Sequence, residues 1–316
     1  MATILLSEAS KLGFDDLQSG VAETIATANG LLGILPFNTV SGNSYAYNRE
    51  KTAGNVASLA IGGSTALVKT QATFDKITVP LTSIIGDAEV NGLILAQGVG
   101  ANNGTDPFAQ AIMSKAKQIG REYMRQVAIG SAAAPALLNV SGLANEEEFD
   151  GIATLMATAP FAGQVVAAND SPLSFDLLDE MLFKVLSGDP AFIMAHSAGI
   201  RKILSLLRGA GGVTYMDIAG VQVPMYNGVP LIRNDFLTAD TSATAGTQVN
   251  IYTGSFDDGT GTGGIAGLIP EGTAGVKVGA PQEAEAGDYM IRRVKMYGSF
   301  AIHSVLSVAA LTKVTV

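Results

Sequence analysis

The stretches Tyr45-Ala-Tyr-Asn-Arg-Glu-Lys51 and Ala66-Leu-Val-Lys-Thr-Gln-Ala-Thr-Phe-Asp-Lys-Ile-Thr-Val79 lie on either side of Gly62-Gly63. Their β-branched and aromatic content, with the double glycine between them, predicts a long two-stranded hairpin over 43–82. A ribbon of that kind has almost no core of its own and is barely stable alone in water. It is therefore expected to lie on a neighbouring subunit. Arg49, Glu50, Lys51, Lys69, Phe74, Asp75 and Lys76 along it are candidate intersubunit contacts.

Upstream, residues 1–42 read as an N-terminal arm. Leu17, Val21, Ile25 and Ala28 recur at helical spacing, and Asn29-Gly30 ends the pattern. Leu31, Leu32, Ile34, Leu35 and Phe37 then form an apolar stretch broken by Pro36. Apolar surface so near the start docks on something, which adds Phe37 to the candidate contacts.

Downstream, Asp106-Pro107 opens a helix: the carboxylate caps exposed amides and the proline has no amide hydrogen to satisfy. Phe108, Ile112, Ala116, Ile119, Tyr123 and Val127 recur every three or four residues to Gly130. The result is an amphipathic helix over 106–130, roughly 35 Å long at ~1.5 Å per residue. Lys115, Lys117, Gln118, Arg121, Glu122 and Arg125 mark its solvated or intersubunit face, and Glu146-Glu147-Glu148 reads as the solvated start of another helix.

A further helix runs from Ser174 to Val185, a buried strand covers 191–195, and Ser197 caps a helix that Gly209 terminates. Strand, helix and strand in this order predict a mixed α/β domain. Residues 213–256 read as short strands around an Asn227-Gly228 turn. The last stretch reads as two strands, 290–296 and 300–308, joined across Tyr297-Gly298-Ser299.

Composition sets bounds on function. Hydrophobic residues make up 47% of 316 positions, enough for a substantial core. Charged residues make up 15%, below the ~25% usual for soluble domains. An exterior with so few charges is expected to be covered by partners. The net charge of −9, with no basic cluster, argues against tight nucleic-acid binding but suits a wall that must not stick to DNA. The absence of cysteine removes disulfides, thiolate metal sites and thiol nucleophiles. No apolar run approaches the ~20 residues that span a bilayer, and the first residues lack a secretory pattern, so synthesis in a cytoplasm is expected.

No motif carries chemistry. The glycine-rich segment 254–267 lacks the Gly-Lys-Ser/Thr ending of a phosphate loop and reads as a flexible surface loop. Asp257-Asp258 has no further ligands to converge on a cation. His196 and His303 lack a paired nucleophile and carboxylate, and no Gly-x-Ser-x-Gly elbow occurs. No catalytic, cofactor or metal residue is assigned, and the chain reads as a non-enzyme.

Phe74-Asp-Lys-Ile77 followed by Ile84-Ile-Gly-Asp-Ala-Glu-Val90, Asp189-Pro-Ala-Phe-Ile-Met194 before the helix with Ile200-Arg-Lys-Ile203, and Asn227-Gly-Val-Pro-Leu-Ile-Arg-Asn-Asp235 come in a telling order. This order resembles the major capsid proteins of tailed bacteriophages, the Hong Kong ninety-seven type, over nearly the whole chain. The resemblance implies an α+β fold: arm (1–42), extended hairpin loop (43–82), spine domain (83–148), axial domain (149–286), and strands returning to both (287–316). It further implies hexamers and pentamers of the chain itself, forming an icosahedral head that encloses double-stranded DNA without reading its sequence. A separate scaffolding protein and a portal are expected partners, with decoration proteins as an optional addition. The location implied is the virion, and the host cytoplasm during assembly. Lysine–asparagine crosslinking, known in part of the family, would need a loop lysine such as Lys51 or Lys69.

Two other readings compete. An encapsulin has the same fold and would bind cargo peptides instead of packaging DNA. A soluble α/β ligand-binding protein would be a monomer with one enclosed pocket.

Overall fold

The computed structural model describes residues 30–56, 58, 61, 70–94, 107–135, 147–218, 221–243, 246–272, 275–285 and 287–316. The helical pieces expected over 17–28, the Gly62-Gly63 tip, Lys69 and the Asp106 cap lie outside these residues. The first half contains β1 (Phe37–Val40), β2 (Ser44–Thr52), β3 (Thr73–Pro80), β4 (Thr82–Asn91), α1 (Pro107–Ile129), α2 (Ile152–Met156) and β5 (Val165–Ala167). Next come α3 (Phe175–Phe183), β6 (Phe192–Ala195), α4 (Ser197–Ala210), β7 (Thr214–Ile218), β8 (Val221–Tyr226), β9 (Val229–Arg233) and β10 (Ala239–Asp240). The chain closes with β11 (Gln248–Gly254), β12 (Ile265–Pro270), β13 (Val276–Val278), β14 (Gln282–Glu283), β15 (Tyr289–Ile302) and β16 (Val308–Thr315).

These strands make two sheets and one separate ribbon. The first sheet has the order β1-β12-β15-β13, with β4 and β14 also bonded to β15. The second has the order β5-β16-β11-β6-β9-β8-β7, with β10 on β11. The ribbon is β2-β3. Strands 265–283 therefore belong with the spine sheet, although the sequence reading placed them in the 149–286 axial segment. Their long-range pairing with β15 decides this, and local pattern carries no record of it.

The break expected at Tyr297-Gly298-Ser299 does not occur: β15 runs through it as one strand. Tyr297 and Gly298 pair with Ser83 and Thr82 of β4, and from Ser299 the strand pairs with β12. Gly298 marks a close approach instead of a turn. A Cβ there would meet Tyr123 Cε2 at 3.1 Å, and Tyr123 Oη donates to Ser299 O at 2.9 Å. Tyr123 thus locks α1 to the sheet, and burial pushes its hydroxyl pKa well above the usual value.

Asn227 (φ 49°) and Gly228 (φ 82°) form the expected tight turn between β8 and β9, where both central residues need positive φ. Helix α4 is capped by His196, not Ser197: its Nδ1 accepts from Ala198 N at 3.2 Å, so the helix starts one residue earlier than expected. It runs past Gly209 to Ala210.

The polar face of α1 is corrected more deeply. Arg125 is paired with Glu122, at 2.7 Å, and with Glu148, and its side chain is 6% exposed while that of Glu148 is 1%. Gln126 Nε2 also donates to Glu122 Oε1 at 3.0 Å, and Ser131 N donates to Glu148 Oε2 at 3.2 Å. Glu148 is therefore no solvated helix start. It returns beneath the end of α1, where Arg125 is held between it and Glu122.

Arg125 is the cation shared by two buried carboxylates, so Arg125→Met is expected to lose about 3–5 kcal/mol of stability. The triple change Arg125→Met with Glu122→Leu and Glu148→Leu should recover most of it. Urea unfolding of the three chains checks this, and a single variant as stable as the parent would refute it.

Candidate functional site

The hairpin leaves the first sheet at Ser44 and returns at Pro80, with Tyr45 opposite Val79, Tyr47 opposite Ile77 and Arg49 opposite Asp75. Strand alternation divides it into two faces. Tyr45, Tyr47, Arg49, Ile77 and Val79 are half-buried, whereas Ala46, Asn48, Glu50, Phe74, Lys76 and Thr78 are exposed. The first face is seated on the chain's own body and the second is bare.

The seat is the end of β15. Ile302 O accepts from Tyr47 Oη at 2.7 Å and from Arg49 Nη2 at 2.6 Å, and His303 O accepts from Arg49 Nε at 3.1 Å. The Arg49 guanidinium also lies over the Phe161 ring, 5.3 Å from its centroid. Tyr45 Oη is 3.2 Å from His303 Nε2, and the two rings meet edge to face. A cleft of about 250 Å³ runs beside the seat, lined by Tyr47, Arg49, Val79, Phe161 and Ile302 among others.

Asp257 lies next to this group. It is buried and accepts from Asn38 Nδ2 at 2.7 Å and Gly261 N at 3.1 Å. Phe256 bridges to Ile265, and Asp258 Oδ1 accepts from Thr260 N at 3.0 Å. The glycine-rich segment 254–267 is thus a held loop, not the flexible one expected from composition.

Electrostatics follow burial. His303 is 3% exposed, and burial pulls its pKa below the usual value against the opposing attraction of Asp257. Its Nδ1 is buried with no hydrogen-bond partner, so a second ring proton would have no acceptor there. Burial, and to a lesser degree Asp257, raises Tyr45. Tyr47 is raised by burial despite Arg49. Neither tyrosine is an ionised nucleophile near neutrality. The cluster holds a ribbon in place, and among the described residues no group of three or more His, Cys, Asp or Glu could hold a metal.

Glu50, Phe74 and Lys76 of the candidate contacts lie on the bare face, Phe74 with 65% of its surface exposed. Lys51 and Asp75 pair in solvent at 3.3 Å. Arg49 and Phe37 serve their own chain: Arg49 anchors the seat, and Phe37 packs against Tyr123 with centroids 6.0 Å apart as β1 adds in parallel to β12. The sequence reading gave no seating role to Tyr45, Tyr47, Asn38, Asp257 or His303, having weighed Asp257 only as a cation ligand and His303 only as a base. The period-two run of Tyr45, Tyr47 and Arg49 was the available signal for one buried face. No helix among the described residues is long and apolar enough to cross a membrane.

Two sheets, a long spine helix and a protruding ribbon make an α+β architecture, the Hong Kong ninety-seven type fold. The chain is similar to the holo-SrpI encapsulin complex from Synechococcus elongatus at TM-score 0.71 and 17% identity, over 99% of this chain and 97% of that one. The capsid of a native GTA particle matches at TM-score 0.63 and 12% identity, over 100% of both chains. Mycobacterium phage Bobi matches at TM-score 0.60 and 13% identity, over 98% of this chain and 99% of that one. No family model and no curated protein matches the sequence. At these identities the likeness is one of fold.

Arg49→Ala removes hydrogen bonds to two carbonyls, each worth about 1.5–3 kcal/mol because the donor is charged. It is expected to speed amide exchange across 44–52 and 73–80 while leaving α1 protected, as hydrogen-exchange mass spectrometry would read. A depressed histidine pKa gives stability that is complete above the unfolded value of about 6.5 and is lost as pH falls through the lower folded value. Protection over the hairpin, measured relative to intrinsic amide exchange at each pH, should therefore fall on acidification in that window, and His303→Gln should flatten the dependence.

Proposed function

We propose that this chain is the major capsid protein of a tailed bacteriophage, a non-enzymatic subunit that assembles with copies of itself into hexamers and pentamers of an icosahedral head. The observation that carries this reading is the end-to-end likeness to the GTA capsid and to Mycobacterium phage Bobi. The bare outer face of the ribbon, with Phe74 exposed, supports it: a neighbouring subunit would bury that surface. Many weak contacts of this sort, repeated around a shell, give firm assembly. The net charge of −9 suits a wall facing packed double-stranded DNA without adhering to it. A separate scaffolding protein and a portal are the partners this role calls for, decoration proteins an optional addition, and the places of action are the host cytoplasm during assembly and then the virion.

One observation favours a second reading. The encapsulin has the higher TM-score, 0.71 against 0.63 and 0.60. An encapsulin-type shell would enclose protein cargo in place of DNA.

Electron microscopy and size-exclusion of the expressed chain test both. Shells or capsomers are expected, and a stable ~32 kDa monomer would overturn the shell reading. Particles recovered from the native source should hold DNA. A protein filling, with none, would favour the encapsulin. Deleting 53–72, beyond the seated base, is expected to leave the unfolding midpoint unchanged and cut shell yield at least tenfold; undiminished yield would refute a neighbour-binding hairpin.

A further inference from the structure

The cleft beside the hairpin seat joins apolar walls to a single cation. Ile77 and Val79 of the hairpin line it from one side, and Leu155, Phe161 and Phe300 of the body line it too. Arg49 belongs to the same lining, with the Phe161 ring beneath its guanidinium.

The charge of Arg49 is unanswered. Its Nε and Nη2 donate only to neutral oxygens, the carbonyls of Ile302 and His303 and the hydroxyl of Tyr47. Among the described residues no carboxylate pairs with it and its Nη1 makes no hydrogen bond. Nor is Nη1 a sealed-off atom, so its two hydrogens are open to a ligand. Arg49 is half-buried, where a charge is screened less than in open water and an anion gains more by meeting it. Asp150 is the one carboxylate among the described lining residues, and its Oδ1 is engaged by Ala132 N at 2.8 Å.

We propose that this cleft binds a small aromatic carboxylate, its ring between the hairpin and the body and its acid group on Arg49 Nη1. Burial of the ring against the apolar walls favours binding, and the charge-assisted hydrogen bond fixes the orientation. A volume of about 250 Å³ lies at the small end of ligand pockets and suits one ring, not a peptide. Because the ligand touches both ribbon and body, only the seated hairpin binds it, and occupancy holds the hairpin down by mass action. The inference goes beyond the shell reading and rests only on the geometry of the seat.

Phenylacetate is the probe, with phenylacetamide as its neutral twin and acetate as its ringless one. Titration calorimetry of the full chain at neutral pH should give phenylacetate a dissociation constant of roughly 1 mM or lower, and the other two at least ~10-fold weaker binding. With phenylacetate at about ten times that constant, hydrogen-exchange protection across 44–52 and 73–80 should rise about tenfold while that of α1 stays unchanged. Ala132→Trp fills the cleft from an exposed position and should abolish binding at an unchanged unfolding midpoint. If that midpoint falls, Thr158→Trp, also exposed in the lining, takes its place. Equal affinity for phenylacetamide would overturn the proposal. So would no binding at ~20 mM, bound phenylacetate without a change in hairpin exchange, or undiminished binding in a folded, cleft-filled variant. A chain that never assembles leaves all these expectations intact, so this proposal and the shell reading fail separately.

Discussion

The long strand β15 is the constraint on which everything else depends. Over fourteen residues it supplies backbone partners to β4, β12, β13 and β14, so four segments converge on it. An unpaired buried amide or carbonyl costs about as much as a lost hydrogen bond, and this single run satisfies many of them. Its smallest residue, Gly298, lets the Tyr123 ring of α1 come within contact. The spine helix is thereby fixed to the sheet at its middle.

The end of the same strand becomes the seat of the hairpin. Ile302, in the last β12 pair, and His303, just past it, offer carbonyls that Tyr47 and Arg49 take. A ribbon that would be marginal by itself gains an anchored base, and its outer face stays available. After a short 3-10 turn at Val305–Ser307 the chain enters the second sheet as β16, between β5 and β11. One core cluster accordingly draws Phe300 and Val294 from one sheet and Phe192, Met194 and Tyr252 from the other. Seat and junction are contiguous, since only Ser304 separates His303 from the 3-10 turn.

Charge within the fold is used sparingly and at positions where it is fully answered. Arg125 sits between Glu122 and Glu148, and Asp257 between Asn38 and the Gly261 amide. Such buried groups specify how the loops return to the body, since any other return would leave a carboxylate without its donor. Outside these buried groups, apolar side chains such as Phe74, Phe183 and Val221 remain in contact with water.

Periodicity and turn chemistry by themselves determined the spine helix, the hairpin's paired strands, the Asn227-Gly228 turn and the α+β character, because each depends on residues within a few positions of one another. Even the order of elements was enough to suggest a shell subunit. Three things were decided only by tertiary structure: the unbroken course of β15 through Gly298, the burial of Glu148, and the seating of Arg49 on its own chain. In each case the deciding partner lies far away in sequence, Tyr123 for Gly298, Arg125 for Glu148, and Ile302 and His303 for Arg49. Local pattern reports which side chains can be buried, whereas what they are buried against is set by contacts that exist only once the chain has closed on itself.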